Sequence, residues 1–380
     1  MKRILKNNAV QSLLASLACI IVGLLIGYIV LLFINPAGAW DAILTVIKNF
    51  FYYPSKPAAL KYFGSTLVKT VPLMLCGLSV LFAYKVGLFN IGAAGQYVAG
   101  AGAALYCALA LHLPWYVCII GAMLAGALLG AISGALKSYC NVNEVISCIM
   151  LNWISLYVVN MILTTVKETT SPYTYTLSSQ NPAALIPNLG LGKLFSNNPY
   201  VTIALPIGIV VSIIIWVLLE KTKFGYELRA TGNNKNAAKY CGMNEKRNII
   251  LTMVIAGALA GLGAALLFLT GFEQWQCSQS SVPTMGFNGI AAAFLGGLNP
   301  IGNIFSSYFI QHITNGGAYV DKTMYCAQIS DLISAIIIYL CGFVAFFKYF
   351  INNCIDRSEE RKAHKRSAAS VSDTKEGGNK

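Results

Sequence analysis

The chain has 380 residues, of which 56% are hydrophobic and 11% charged. Soluble domains carry about 25% charged residues, so this composition excludes an ordinary soluble protein and indicates a polytopic membrane protein. The net charge of +13 does not point to nucleic acid, because the Lys and Arg residues collect in the termini and in loops between apolar runs, as the positive-inside rule leaves them.

Apolar runs of roughly 20 residues mark the spans. The first, 12–34, follows Lys2, Arg3 and Lys6; it is too long for a signal-peptide core and is read as retained, with the N-terminus in the cytoplasm. An amphipathic outer segment, 35–63, carries the aromatic run Phe50-Phe51-Tyr52-Tyr53, suited to the interface. The second span, 64–84, returns the chain inside at Lys85. Residues 87–103, GLFNIGAAGQYVAGAGA, open the third, which runs to Leu113.

This glycine- and alanine-rich stretch carries two amides, Asn90 and Gln96, six residues apart. They project from different faces unless the helix is broken between them, and Gly92 and Gly95 supply the means. At membrane depth such a pair either bonds helices together or touches solute. The fourth span, 115–137, presents Gly126, Gly130 and Gly134 at i, i+4, i+8 as a flat packing face. The fifth, 143–163, starts at Asn143-Glu144, which read as a helix cap, and carries Asn152 and Trp153 deeper in. These two are candidates to line a path, with Trp153 placed to stack on a ring.

After an outer loop, 164–199, and the sixth span, 200–219, comes the insert 220–248, EKTKFGYELRATGNNKNAAKYCGMNEKRN. It holds seven basic residues, and its Asn236–Tyr240 stretch reads as a short helix preceded by a turn at Gly232-Asn233-Asn234 and ended by Gly242. A structured basic loop between membrane halves points to docking of a partner protein. The seventh span is 249–270, followed by an outer segment, 271–285, and the runs 286–297, 299–320 and 327–347. Residues 351–380 form a charged tail, expected to be disordered, beyond a single transmembrane domain over 1–350.

The tail from Lys348 onward carries eight basic residues, which places it inside. Both ends inside require an even number of spans, so the chain is expected to be an all-α membrane protein of about ten transmembrane helices, one of them short and broken near Gly296-Gly297. Twenty of the 27 basic residues then lie inside. Gly87-Leu88-Phe89-Asn90-Ile91-Gly92 is echoed by Met285-Gly286-Phe287-Asn288-Gly289-Ile290, as two inverted five-helix halves with broken helices require. Asn288 and Asn299, which flank the short segment, share the ambiguity between helix contact and solute path, and Asn288 joins the path candidates.

No G-x-x-x-x-G-K-[ST], G-x-S-x-G, H-E-x-x-H or paired Cys-x-x-Cys occurs, so neither nucleotide hydrolysis nor another catalytic activity is expected of this chain. The eleven cysteines have no metal spacing, and six lie within apolar runs as small hydrophobes, while Cys277 is the thiol in an outer segment. An ion-coupled carrier would place ionisable groups at mid-membrane, and the spans carry almost none beyond Asp331.

Four motifs in order, FNIGAAGQ (89–96), NEVISCIMLNWI (143–154), GYELRATGNNKNAAKYCGM (225–243) and AAAFLGGLNPIG (291–302), resemble the permease subunits of bacterial ABC importers for branched-chain amino acids, monosaccharides and nucleosides. The nucleoside and simple-sugar subgroup is most similar. The resemblance implies a multi-pass subunit of the bacterial cell membrane that binds no cofactor itself. It also implies a second permease subunit, identical or not, cytoplasmic ATPase subunits that use the ATP, and an external solute-binding lipoprotein. The 225–243 segment matches the family's ATPase-coupling loop, which carries that role to Glu227, Arg229, Gly232, Ala237, Ala238, Tyr240 and Gly242. Two departures stand out: the acid common in the first motif is Ala94 here, and a proline common in the coupling loop is Lys235. The resemblance implies nucleoside import by alternating access, with simple sugars as the alternative.

Overall fold

Apolar runs without interior breakers form long helices, and their ends fall where caps and glycines stand. The computed structural model describes residues 8–317 and, from 319 to 353, individual positions. Twelve helices organise the described residues: α1 Asn8–Ile34, α2 Ala39–Lys48, α3 Lys56–Lys85, α4 Ala93–Leu109, α5 Trp115–Cys140, α6 Glu144–Leu163, α7 Ala204–Lys221, α8 Lys223–Asn233, α9 Lys235–Tyr240, α10 Glu245–Phe268, α11 Met285–Leu295 and α12 Pro300–Gly317. Single helical turns and irregular loops connect them.

The protein is an all-α polytopic membrane protein. Among the described residues, six helices, α1, α3, α5, α6, α7 and α10, are long and apolar enough to cross a bilayer. Nine of the ten expected spans coincide with helices. The tenth, 327–347, is described only at individual positions, and Asp331 and, but for Asn353, the tail 351–380 lie outside the described residues. Helix α4, at 17 residues shorter than those six, is enclosed by its neighbours, and its small residues fit it to that place.

Helices α3 and α10 form the centre and are mostly buried, whereas α1, α5, α6 and α7 keep much of their surface outward. The glycine face of α5 does what its spacing predicts. Gly126 and Gly130 lie directly against the Gly257 and Met253 carbonyls of α10, and a Cβ on Gly134 would stand 3.0 Å from Ile250 Cα. Side chains on that face would force the two backbones apart.

The echoed segments differ in backbone. Residues 87–92 lie in a non-helical break ahead of α4, whereas Met285–Ile290 form the first turns of α11. Those two helix starts touch, with Gly286 pressed on Ala94. A second likeness appears only in three dimensions. Helix α3 ends with Gly87 N–H on Tyr84 O and Leu88 N–H on Ala83 O; α11 ends with Gly297 on Phe294 and Leu298 on Ala293 in the same pattern, at 2.9–3.0 Å. Both glycines are left-handed, φ 75° and 66°, as this C-terminal closure requires. The rings of Tyr84 and Phe294 meet edge to face at 5.2 Å.

At the end of the bundle away from 220–248, the segments 164–186 and 271–284 interlock. Cys277 N–H donates to Pro172 O at 2.9 Å, and Trp275 Nε1 donates to Asn160 Oδ1 at 2.9 Å. Asn160 Nδ2 donates in turn to Gln279 O at 2.9 Å. Cys277, the thiol expected in an outer segment, is buried within this cap.

Candidate functional site

The break between α3 and α4 is held by side-chain amides. Asn90 Nδ2 donates to Ser79 Oγ on α3 at 3.0 Å and to Gln96 Oε1 on α4 at 2.9 Å. Gln96 Nε2 returns a longer bond to Asn90 Oδ1, 3.4 Å. Both amides are buried. The six-residue separation therefore works because the helix begins only at Ala93, so Asn90 folds back along the break to reach Gln96.

Asn152 closes the same break from α6. Its Oδ1 accepts Gly95 N–H at 2.8 Å, one of the first-turn donors that a helix start leaves without a partner. Its Nδ2 donates to Ile91 O at 3.2 Å. No Cβ fits at Gly95, where it would stand 2.7 Å from Asn152 Cα. A cavity lined by Gly92, Gln96, Ser133, Cys148 and Asn152 measures about 10 Å³, the space of a single water. Asn90, Gln96 and Asn152 thus spend their polarity on holding three helices and the break.

The other path candidates sit differently. Trp153 faces outward from α6 and stacks on Tyr157, ring centroids 6.3 Å apart. Asn288 is half-buried on the first turns of α11. Asn299 caps α12, its Oδ1 accepting Ile301 N–H at 2.9 Å. Asn143 caps α6 by accepting Val145 N–H at 2.9 Å, and Glu144 pairs with Lys137 at 2.8 Å.

Sequence reading missed Asn303, the most enclosed amide of α12. Its Nδ2 donates to Met74 O at 2.8 Å, it presses on Gly77, and its Oδ1 has no partner among the described residues. The only available signal was its place just beyond the 291–302 motif.

The insert 220–248 forms a helical hairpin built by successive caps. Thr222 Oγ1 accepts Gly225 N–H at 3.1 Å to start α8. Asn234 Oδ1 accepts Ala237 N–H at 3.0 Å to start α9, and Asn244 Oδ1 accepts Arg247 N–H at 3.0 Å to start α10. Gly242, at φ 79°, ends α9. The expected turn shrinks to Asn234, because Gly232 and Asn233 complete α8, a helix that the sequence pattern did not show.

Leu228, Thr231 and Ala238 are the buried side of the hairpin. Thr231 Oγ1 accepts Asn248 Nδ2 at 2.8 Å, which ties α8 to α10. Arg229 finds its acid in Glu220, not in Glu227, with Nη1 2.9 Å from Glu220 Oε2. Ala237 is exposed, and Tyr240 is 94% exposed. A tyrosine so fully presented beside basic side chains offers contact area and a hydroxyl to another protein.

The hairpin and the break meet. A Cβ on Gly232 would stand 2.5 Å from the Val86 carbonyl carbon and 2.8 Å from its Cα; one on Gly87 would lie 3.0 Å from Gly232 O. The last turn of α8 therefore rests backbone on backbone against the start of the break that Asn90, Gln96 and Asn152 hold.

The comparisons agree with this architecture. Residues 62–342 match the family described as branched-chain amino acid transport system / permease component. The chain is 33% identical to the nucleoside ABC transporter permease protein NupB of Lactococcus lactis subsp. cremoris, over 94% of this chain and 97% of that one. It is 31% identical to the guanosine ABC transporter permease protein NupP of Bacillus subtilis, over 86% and 92%. Its identity to the glucose ABC transporter permease protein TsgB13 of Haloferax volcanii is 29%, over 78% and 80%. With its broken helices and its capped basic hairpin, the chain belongs to the branched-chain amino acid transport system permease family.

Proposed function

We propose that this chain is the membrane-spanning subunit of an ATP-driven nucleoside importer. It works beside a second permease subunit, ATPase subunits below the α8–α9 hairpin and a solute-binding lipoprotein outside, with both termini in the cytoplasm of a bacterial cell. The observation that carries the reading is the backbone contact of Gly232 with Val86 and Gly87. A push on the hairpin reaches the break without passing through a flexible side chain, so ATPase closure can shift α4 relative to α3 and reorient the spans. The relatives named for nucleosides and guanosine support the solute class. The relative named for glucose keeps simple sugars as the second reading.

Within this reading Asn90, Gln96 and Asn152 position the break, and solute contact falls to side chains that face outward. Uptake of radiolabelled nucleosides and sugars by the reconstituted complex tests the solute class, and uptake of amino acids alone would overturn both versions. Uptake by the chain alone in ATP-free vesicles would instead make it an ion-coupled carrier.

A further inference from the structure

Helix α6 divides its outward surface into two unlike edges. Met150, Trp153, Tyr157 and Met161 recur at helical spacing along one edge, and Ile154, Val158 and Ile162 along the other. All seven are exposed, Trp153 by 42% and Tyr157 by 58%. The aromatic pair lies nearly parallel, 25° between ring planes. Trp153 is halfway along a 20-residue helix, about 14 Å from its start and so near the middle of a bilayer core.

That depth decides what the edge can face. Trp and Tyr on lipid surfaces gather at the interfaces, where the polar end of the ring reaches water. At mid-depth against acyl chains, Trp153 would leave its indole donor unpaired in hydrocarbon. Among the described residues, neither the Trp153 indole N–H nor the Tyr157 hydroxyl has a hydrogen-bond partner. The Ile154–Val158–Ile162 edge has the composition lipid requires, and the aromatic edge does not.

We propose that the Trp153–Tyr157 edge of α6 lines the solute path and stacks on the base of a nucleoside in transit. This rests on the nucleoside-import reading above. Two parallel rings carrying two donors match a flat heteroaromatic ring with acceptor nitrogens and oxygens, whereas a free sugar offers no π-face. Met150 and Met161 flank the pair with adaptable side chains. Asn152, one residue before Trp153, grips Ile91 O and Gly95 N–H, so a shift of the break carries the ring with it.

The test uses the full complex in proteoliposomes, with radiolabelled purine and pyrimidine nucleosides. The wild-type arm comes first: nucleoside uptake upholds the parent reading, and uptake of sugars alone overturns it and this proposal with it. Trp153→Ala is expected to lower purine nucleoside uptake about tenfold or more, from loss of one base–aromatic stack. Uptake of pyrimidine nucleosides, which stack less, falls less, so the purine-to-pyrimidine ratio drops. Trp153→Phe keeps a ring and is expected to retain most uptake, and Ile154→Ala on the lipid edge to leave it unchanged. A purely structural role would lower both nucleoside classes alike. That result, wild-type uptake in Trp153→Ala, or release of the second permease subunit by the same variant would each overturn the proposal.

Discussion

Gly232→Ala is the smallest change that reaches the transmission contact. The added methyl would stand 2.5 Å from the Val86 carbonyl carbon, where carbon atoms rest at about 3.5–4.0 Å. The neighbour is main chain, so no rotamer change can make room, and one backbone must retreat by about an ångström. Overpacking of this kind costs about 1–3 kcal/mol, and the Gly-to-Ala gain within helix α8 returns about 1 kcal/mol. Net stability therefore falls by up to about 2 kcal/mol, while the seating of α8 on the break is displaced. The assay is ATP-driven nucleoside uptake beside ATPase activity, in proteoliposomes holding equal amounts of assembled complex. Uptake is expected to fall by about tenfold to a hundredfold, the upper figure being what a 1 Å misplacement can cost at a catalytic site, with ATP hydrolysis persisting. Gly242→Ala is the control: its φ of 79° makes the change strained, but nothing lies within 4 Å, so the cost stays at about 1–2 kcal/mol of local backbone strain. Unchanged uptake per ATP hydrolysed in Gly232→Ala would refute the claim that force enters through this contact.

Other expectations concern the break, the ion pair and the thiols. Asn90→Leu strands Gln96 and removes the bond to Ser79, so it should lower thermal stability by about 1–3 kcal/mol. Binding-protein docking and solute preference should stay unchanged, and altered solute preference would return Asn90 to the path. Glu220→Ala frees Arg229 from a pair about one-third exposed on each side; such pairs contribute under about 1 kcal/mol, so melting should shift little at physiological salt. Thiol labelling should tag Cys140 and Cys241, which are exposed, and spare Cys277. Burial pushes the Cys277 thiol above its ordinary range against a weaker pull from Lys167. Its reactive thiolate is therefore scarce near neutral pH and forms only at higher pH than a free cysteine requires. Fast alkylation of Cys277 at neutral pH would show that the cap formed by 164–186 and 271–284 opens.

The capped hairpin shows where sequence legibility stops. Asn234 and Gly242 were readable as its punctuation, because caps and left-handed turns act within a few residues of themselves. Helix α8 was not, since its apolar side is a short stripe of Phe224, Leu228 and Thr231 among basic and small residues, and it is kept in place by packing on the core, Asn248 and Val86. The same limit applies to the amides. Residue type told that Asn90, Gln96 and Asn152 need partners in a bilayer, and could not tell that the partners are one another, Ser79 and the backbone of the break.

By itself the sequence determined the class of molecule, most of the spans, the glycine face of α5 and the basic insert with its short helix α9, because hydropathy, small-residue spacing and capping are local properties of the chain. Tertiary structure decided which polar residues are spent internally and which are left to face outward. Hydrogen-bond satisfaction depends on residues far apart in the chain: Gly95 meets Asn152, Met74 meets Asn303, and Gly232 meets Val86 only once the helices are packed.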